Sequence, residues 1–168
     1  KVSGENLCKM FHDMYGMETV IFRYFNVYGE KQPTKGQYAP VIGLFQKQHA
    51  EGNPMTIVGD GMQRRDFTYV GDIVDGLIKC GRSLLIPNAY NAKVSGETFE
   101  LGNGNNYSIL DLVDAFEETE VEYIPARPGE VRESLNIDTK AYTMLGWKPK
   151  GDIIEYIKKN YRRKNENN

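Results

Sequence analysis

Cysteine and histidine are scarce in this chain, and each scarcity excludes something. Cys8 and Cys80 are the only cysteines. Two residues make no disulfide framework, and without a CxxC or Cys/His spacing they make no zinc motif, which points to a reduced, cytoplasmic setting. His12 and His49 are the only histidines. They read as solvated residues of helices, which argues against a histidine triad or a His-rich metal site. A GxSxG nucleophile turn is absent. So is an excess of charge: 21 Lys and Arg face 23 Asp and Glu, a net of −2. That balance argues against the basic footprint of non-specific nucleic-acid binding. No apolar run approaches the ~20 residues of a membrane span, and residues 1–15 hold no apolar signal-peptide core. No internal repeat or low-complexity segment is visible.

What is present reads as a globular α/β chain. Its 168 residues are 40% hydrophobic and 26% charged, the balance of a folded domain with a sizeable core. Leu7, Met10, Phe11 and Met14 fall at helical spacing. Thr19 to Phe25 is a β-branched and aromatic run, read as one strand. Val41, Leu44 and Phe45 mark a second helix, stopped by Gly52 and Asn53-Pro54. Strands are expected at 55–58, 66–70, 97–101 and 121–124. Asp72 is expected to cap a helix carrying Ile73, Leu77 and Ile78. Ser108 and Asp111 form a capping box ahead of Ile109, Leu112 and Val113. Asp138 and Asp152 are expected to cap two further helices, the first ending at Gly146 and the second running to Tyr161. Strands alternating with helices mean α/β.

Two loops begin GxG, Gly59-Asp-Gly61 and Gly102-Asn-Gly104, and both lack the third glycine of GxGxxG. The first precedes a strand, which is the wrong context for a phosphate cradle. The second follows a strand and precedes a helix, so its amides are candidates for an anion or a ribose, against the plainer reading of a tight turn. Arg65, Arg127 and Arg132 stand near strand ends or in rigid turns. Loops at strand ends hold ligands in open α/β sheets, and planar guanidinium donors suit a diphosphate. The plainer reading is a solvated arginine or a structural Arg–Asp pair. Asn26 is likewise either a turn residue or an amide aimed at a ligand.

Five stretches, taken in order, carry a resemblance: Lys1-Val-Ser-Gly-Glu5, Arg23-Tyr-Phe-Asn-Val-Tyr-Gly29, Gly59-Asp-Gly-Met-Gln-Arg-Arg-Asp-Phe-Thr-Tyr-Val70 with Asp72, Phe99-Glu-Leu-Gly-Asn-Gly104 through Ser108, and Arg127-Pro-Gly-Glu130 through Asp138 to Leu145-Gly-Trp-Lys-Pro149. Together they resemble the C-terminal half of the extended short-chain dehydrogenase/reductases, specifically the NAD-dependent sugar-nucleotide epimerases and dehydratases. The resemblance implies a Rossmann-like NAD(P)-binding fold with a small substrate-binding α/β lobe, most of the Rossmann sheet being absent from these residues. It implies that residues 1–30 are the last helix and strand of that Rossmann part. Residues 31–168 would be mainly the nucleotide-sugar lobe, with 66–83 returning to the Rossmann sheet.

The resemblance also implies roles. Lys1 would be the catalytic lysine of a Tyr-x-x-x-Lys pair, holding the nicotinamide ribose of NAD and lowering the pKa of the tyrosine. Phe25 would flank the nicotinamide. Asn26, Arg65 and Arg127 would bind the diphosphate, Glu130 the nucleotide ribose and Asn105 the base or ribose, with Tyr38 lining the substrate cleft. The substrate implied is a nucleotide-diphosphate sugar, most simply a UDP-sugar. The reaction would be of the UDP-glucose or UDP-N-acetylglucosamine 4-epimerase type, with hydride transfer at C4. A 4,6-dehydratase or a sugar-acid decarboxylase of the same superfamily is the neighbouring alternative, and a non-catalytic nucleotide-sugar-binding module or partial gene product is the alternative of another class. The tyrosine partner of Lys1 and the Gly-rich fingerprint are not among these residues, so the chain alone is expected to be inactive. Beginning at Lys1 without a methionine, it reads as cut inside the Tyr-x-x-x-Lys segment. Its uncovered apolar surface, around 20–25 and the Leu7/Phe11 face, is expected to drive homo-oligomerisation.

Overall fold

The computed structural model describes residues 1–36, 39–86, 93–117 and 119–161. Helix α1 (Val2–Tyr15) ends at Gly16, which adopts the left-handed conformation. Strand β1 (Ile21–Tyr24) is followed after Phe25 by β2 (Asn26–Tyr28). Then come α2 (Val41–Glu51), β3 (Met55–Val58), β4 (Arg64–Tyr69), α3 (Val70–Leu85), β5 (Thr98–Leu101), β6 (Asn106–Ser108), α4 (Ile109–Ala115), β7 (Val121–Ile124), α5 (Lys140–Leu145) and α6 (Ile153–Tyr161). The expected alternation of strand and helix is present.

The strands form three small groups among the described residues. β1 pairs in parallel with β5, β2 in parallel with β4, and β3 in parallel with β7, while β6 runs antiparallel to β4. The strand expected over 19–25 is therefore shorter, β1 ending at Tyr24, and a second strand with a different partner opens at Asn26. The break falls at Phe25, where the chain leaves β5 for β4. Asn26 then lies in a strand, where a turn residue was one reading.

Two apolar clusters follow this division. Tyr28, Phe45, Ile57, Phe67, Phe116 and Ile157 lie in one, and Ile73, Cys80, Phe99, Leu101, Leu145 and Trp147 in the other. β4 thus sends Phe67 to the first cluster, and the following α3 sends Ile73 and Cys80 to the second. The outer face of α1 is uncovered, and no residue of that helix is buried.

The capping box forms as expected: Asp111 N donates to Ser108 Oγ and Ser108 N donates to Asp111 Oδ2. Asp152 Oδ1 accepts from Glu155 N at the start of α6. Asp72 does not cap. The helix begins at Val70, two residues earlier, and the Asp72 carboxylate accepts instead from Lys150 N and Gly151 N, tying the α5–α6 connection to α3. Asp138 accepts from Lys140 N at the entry to α5, where Thr139 is the boundary residue.

Candidate functional site

A half-enclosed cleft of about 250 Å³ opens between α2, β3, β4 and the connection after β7. Four polar side chains reach it from separate parts of the chain: Asn26 from β2, Arg65 from β4, and Arg127 and Glu130 from the segment that follows β7. Leu44, Phe45, Val58 and Ile124 supply apolar wall. Polar groups converging on an apolar cleft are the usual form of a small-molecule site.

Strand alternation explains why Arg65, and not its neighbour, faces the cleft. Successive side chains of a strand point to opposite faces. Arg64 turns to the other side, where its Nε donates to Asn106 Oδ1 at 2.8 Å and its Nη2 to Asn106 O at 2.7 Å. Arg64 is the structural arginine of the pair. Arg65 sits within β4 itself, one residue inside the strand rather than in the loop entering it. Its Nη1 donates to Arg64 O at 2.9 Å, and its closest carboxylate among the described residues is Glu130, at 3.6 Å. Its side chain is 16% exposed. A largely buried guanidinium with most of its fork unspent is suited to an anion, and a second guanidinium, Arg127, lines the same cleft. Paired arginine forks match the planar, bidentate geometry of phosphate oxygens.

Sequence reasoning passed over several residues that complete this cleft. Gln63 is buried and its Nε2 donates to Val58 O at 3.0 Å, bracing β3 against the turn before β4. Gln48 on α2 reads Thr56 from both sides, donating to its Oγ1 at 2.8 Å and accepting from its amide at 3.3 Å. Gln48 sits between Lys47 and His49 and Gln63 between Met62 and Arg64 in the sequence, and their shared bonding to β3 brings them to one wall.

The second GxG loop does something other than hold a ligand anion. Asp66 on β4 is fully buried. Its carboxylate accepts from Asn103 N at 2.7 Å, Gly104 N at 2.9 Å and Asn136 N at 3.0 Å. The anion that the Asn103 and Gly104 amides meet is this internal carboxylate, which favours the tight-turn reading of the loop over the ligand reading. The loop also leads into β6 before α4, so no helix N-terminus follows it directly. Asn105 lies beyond, exposed and outside the residues lining the cleft.

Lys1 stands exposed at the N-terminus of α1. Phe25 is half-buried at the β1–β2 break beside Gly102; a methyl group on that glycine would stand 2.8 Å from the ring. Tyr38 lies outside the described residues. A whole dinucleotide finds no cradle in these residues. The Gly59–Gly61 turn precedes a strand, and the Asn103 and Gly104 amides are taken by Asp66. No cluster of three or more metal-ligating side chains occurs among the described residues. Among them, too, no helix is long and apolar enough to cross a membrane.

Comparison with known proteins places this geometry. Residues 1–100 match the model of the NAD dependent epimerase/dehydratase family. The chain is 30% identical over 164 residues to the UDP-glucose 4-epimerase of Mycolicibacterium smegmatis, an alignment covering 95% of this chain and 49% of that protein. It is 30% identical over 160 residues to UDP-glucuronic acid decarboxylase 1 of Arabidopsis thaliana, covering 92% of this chain and 34% of that one. Among solved structures it matches the UDP-glucuronic acid 4-epimerase of Bacillus cereus in complex with UDP-glucuronic acid and NAD. The TM-score is 0.80 and the identity 30%, covering 96% of this chain and 49% of that chain. The chain spans at most about half the length of these relatives.

Proposed function

The chain belongs to the NAD dependent epimerase/dehydratase family, and from that premise we propose that it is the nucleotide-sugar side of an NAD-dependent nucleotide-sugar epimerase. The observation that carries this reading is the convergence of Asn26, Arg65, Arg127 and Glu130 on one cleft. Arg65 and Arg127 grip the diphosphate. Asn26 offers an amide to the same phosphates from the start of β2. Glu130, an acceptor beside two cations, takes hydroxyls of the nucleotide ribose. The apolar wall of Leu44, Phe45 and Val58 covers the base.

NAD supplies the hydride chemistry in the whole protein, acting at C4 of a sugar carried on UDP, of the UDP-glucose or UDP-N-acetylglucosamine type. Lys1 and Phe25 would meet its nicotinamide end. Within this proposal residues 1–30 and 66–83 belong to the dinucleotide-binding part and the remainder mainly to the nucleotide-sugar lobe. The exposed face of α1, with Leu7 54% and Met14 64% accessible, supports a homo-oligomer. The likeness to a UDP-glucuronic acid decarboxylase supports a second reading, in which the same cleft presents a sugar acid for loss of its carboxyl group. Assaying the whole protein with UDP-glucose and UDP-glucuronic acid separates the two.

Calorimetry of UDP binding tests the cleft itself. Arg65→Ala and Arg127→Ala are each expected to weaken UDP by about 1.5–3 kcal/mol, the range of a hydrogen bond to a charged group. That is roughly tenfold or more in Kd. Unchanged affinity in both variants would remove the diphosphate clamp.

A further inference from the structure

The two cleft residues Arg127 and Glu130 sit on an arm whose attachment is unusual. Residues 125–133 are exposed throughout. Upstream, the arm leaves β7 where Gly59 N donates to Ile124 O at 2.9 Å. Downstream, it is caught where Arg64 N donates to Arg132 O at 2.9 Å and Ser134 N donates to Arg64 O at 3.1 Å. Between these points its own turn is closed by a long bond, Glu130 N to Arg127 O at 3.3 Å. Beside the cleft lies a second cavity of about 280 Å³, bordered by Asp60, Ala126 and Arg132 and sharing Val58, Gln63, Arg127 and Glu130 with the cleft. An arm bordered by a cavity is not held in place by packing.

A side-chain clamp spans that cavity. Arg132 donates from Nη1 to Asp60 Oδ1 at 2.8 Å and from Nη2 to Asp60 Oδ2 at 3.0 Å. Asp60 is itself fixed, since its Oδ1 also accepts from Met62 N at 2.9 Å within the tight turn between β3 and β4. Neither Asp60 nor Arg132 lines the cleft that holds Arg65 and Arg127.

We infer that Asp60 and Arg132 are positioning residues: their fork-to-fork ion pair latches the arm so that Arg127 and Glu130 stand over the diphosphate. This rests on the cleft reading given above. An exposed pair contributes little to the stability of a whole fold. Its free energy acts here on one exposed segment, held otherwise by backbone bonds and the looser Arg65–Glu130 contact at 3.6 Å, so it raises the fraction of molecules in which the arm is in place. Apparent affinity falls in proportion to that fraction. The latch thereby changes binding without either residue touching the ligand.

The test is a double-mutant cycle on UDP affinity, by calorimetry with the 168-residue chain. Asp60→Asn keeps the acceptor for Met62 N and removes the charge. It and Arg132→Gln are each expected to weaken UDP about 3- to 5-fold, the size of an exposed, well-aligned ion pair. The double variant is expected to be no weaker than either single one, because both remove the same contact. Arg132→Lys should recover part of the loss, and raising the salt concentration should narrow the gap to wild type. Single variants that bind UDP like wild type overturn the latch and leave the cleft reading intact. Additive losses in the double variant, with a lowered urea midpoint, overturn it in favour of a general loosening of the fold. A wild-type chain that does not bind UDP overturns the latch together with the cleft reading.

Discussion

Asp66→Asn is the substitution that most directly probes how the site is supported. The residue is wholly buried, and its carboxylate accepts three backbone amides, from Asn103, Gly104 and Asn136, at 2.7, 2.9 and 3.0 Å. Asparagine has nearly the same shape but one acceptor oxygen fewer. If its oxygen takes the position shared by Gly104 and Asn136, its NH₂ group faces the Asn103 amide, donor against donor. One charge-assisted bond is lost and two become neutral. A bond to a charged group contributes about 1.5–3 kcal/mol and a neutral one about 0.5–1.5. The three changes together amount to roughly 4 kcal/mol. Removing a buried charge returns part of its desolvation cost, which leaves an expected loss of about 3 kcal/mol.

Against a typical domain stability of about 5–15 kcal/mol, such a loss is easily measured and leaves the variant folded. Urea unfolding followed by circular dichroism gives the free energy. The single tryptophan, Trp147, adds a second probe, being 3% exposed and bonded through Nε1 to Asp72 O. Coincident transitions by the two probes license a two-state treatment. A shifted midpoint with an unchanged slope assigns the loss to stability. A change of less than about 1 kcal/mol would refute the reasoning, since it would mean that the three amides find other acceptors at no cost.

Two further outcomes follow from burial and close contact. With a thiol reagent at pH 8, the native chain should react at one cysteine per chain, Cys8, and at two in urea: Cys8 is exposed, while Cys80 is 2% exposed and burial pushes its thiol up to about 11. Because the pKa is raised, the reactive thiolate is suppressed at pH 8, and fast reaction of both thiols in the native chain would contradict this. Gly102→Ala should cost about 1–3 kcal/mol in urea unfolding through overpacking, since a Cβ there would stand 2.4 Å from Asn136 Cβ and 2.8 Å from Phe25 Cδ2. Gly4→Ala is the control, with nothing within 4 Å of the added methyl, and equal midpoints in the two variants would show that the Gly102 contact is not tight.

Most elements were legible in the sequence because their signals are local. The strand at 55–58, the Ser108–Asp111 capping box and the Gly52 helix stop depend on residues within a few positions of one another. What was not legible depends on partners far along the chain. The run Thr19–Phe25 is uniformly β-forming, and nothing in it announces that Ile21 will register with Thr98 while the next residue, Asn26, opens a new strand in register with Phe67. Asp72 has the sequence position of a helix cap. It is turned inward by two amides at Lys150 and Gly151, more than seventy residues away.

The same distinction governs the site. The segment Gly59–Asp72 is the densest motif in the chain, yet its polar residues divide sharply in role. Arg64, Asp66 and Asp72 spend their charges inside the protein, on Asn106, on the 103–104 and 136 amides, and on the 150–151 amides. Asp60 spends its charge on Arg132. Arg65, one residue from Arg64 in sequence, is left with its fork open to the cleft. Motif density therefore marks where the chain must be held, and only strand alternation together with cross-strand pairing separates the holder from the held. A guanidinium belongs to the ligand when its neighbours have already satisfied every internal carboxylate around it. Here Asp66 and Asp72 are taken by backbone amides and Asp60 by Arg132, while Arg65 meets a carboxylate only at Glu130, 3.6 Å away, which leaves Arg65 and Arg127 as the guanidinium groups lining the cleft.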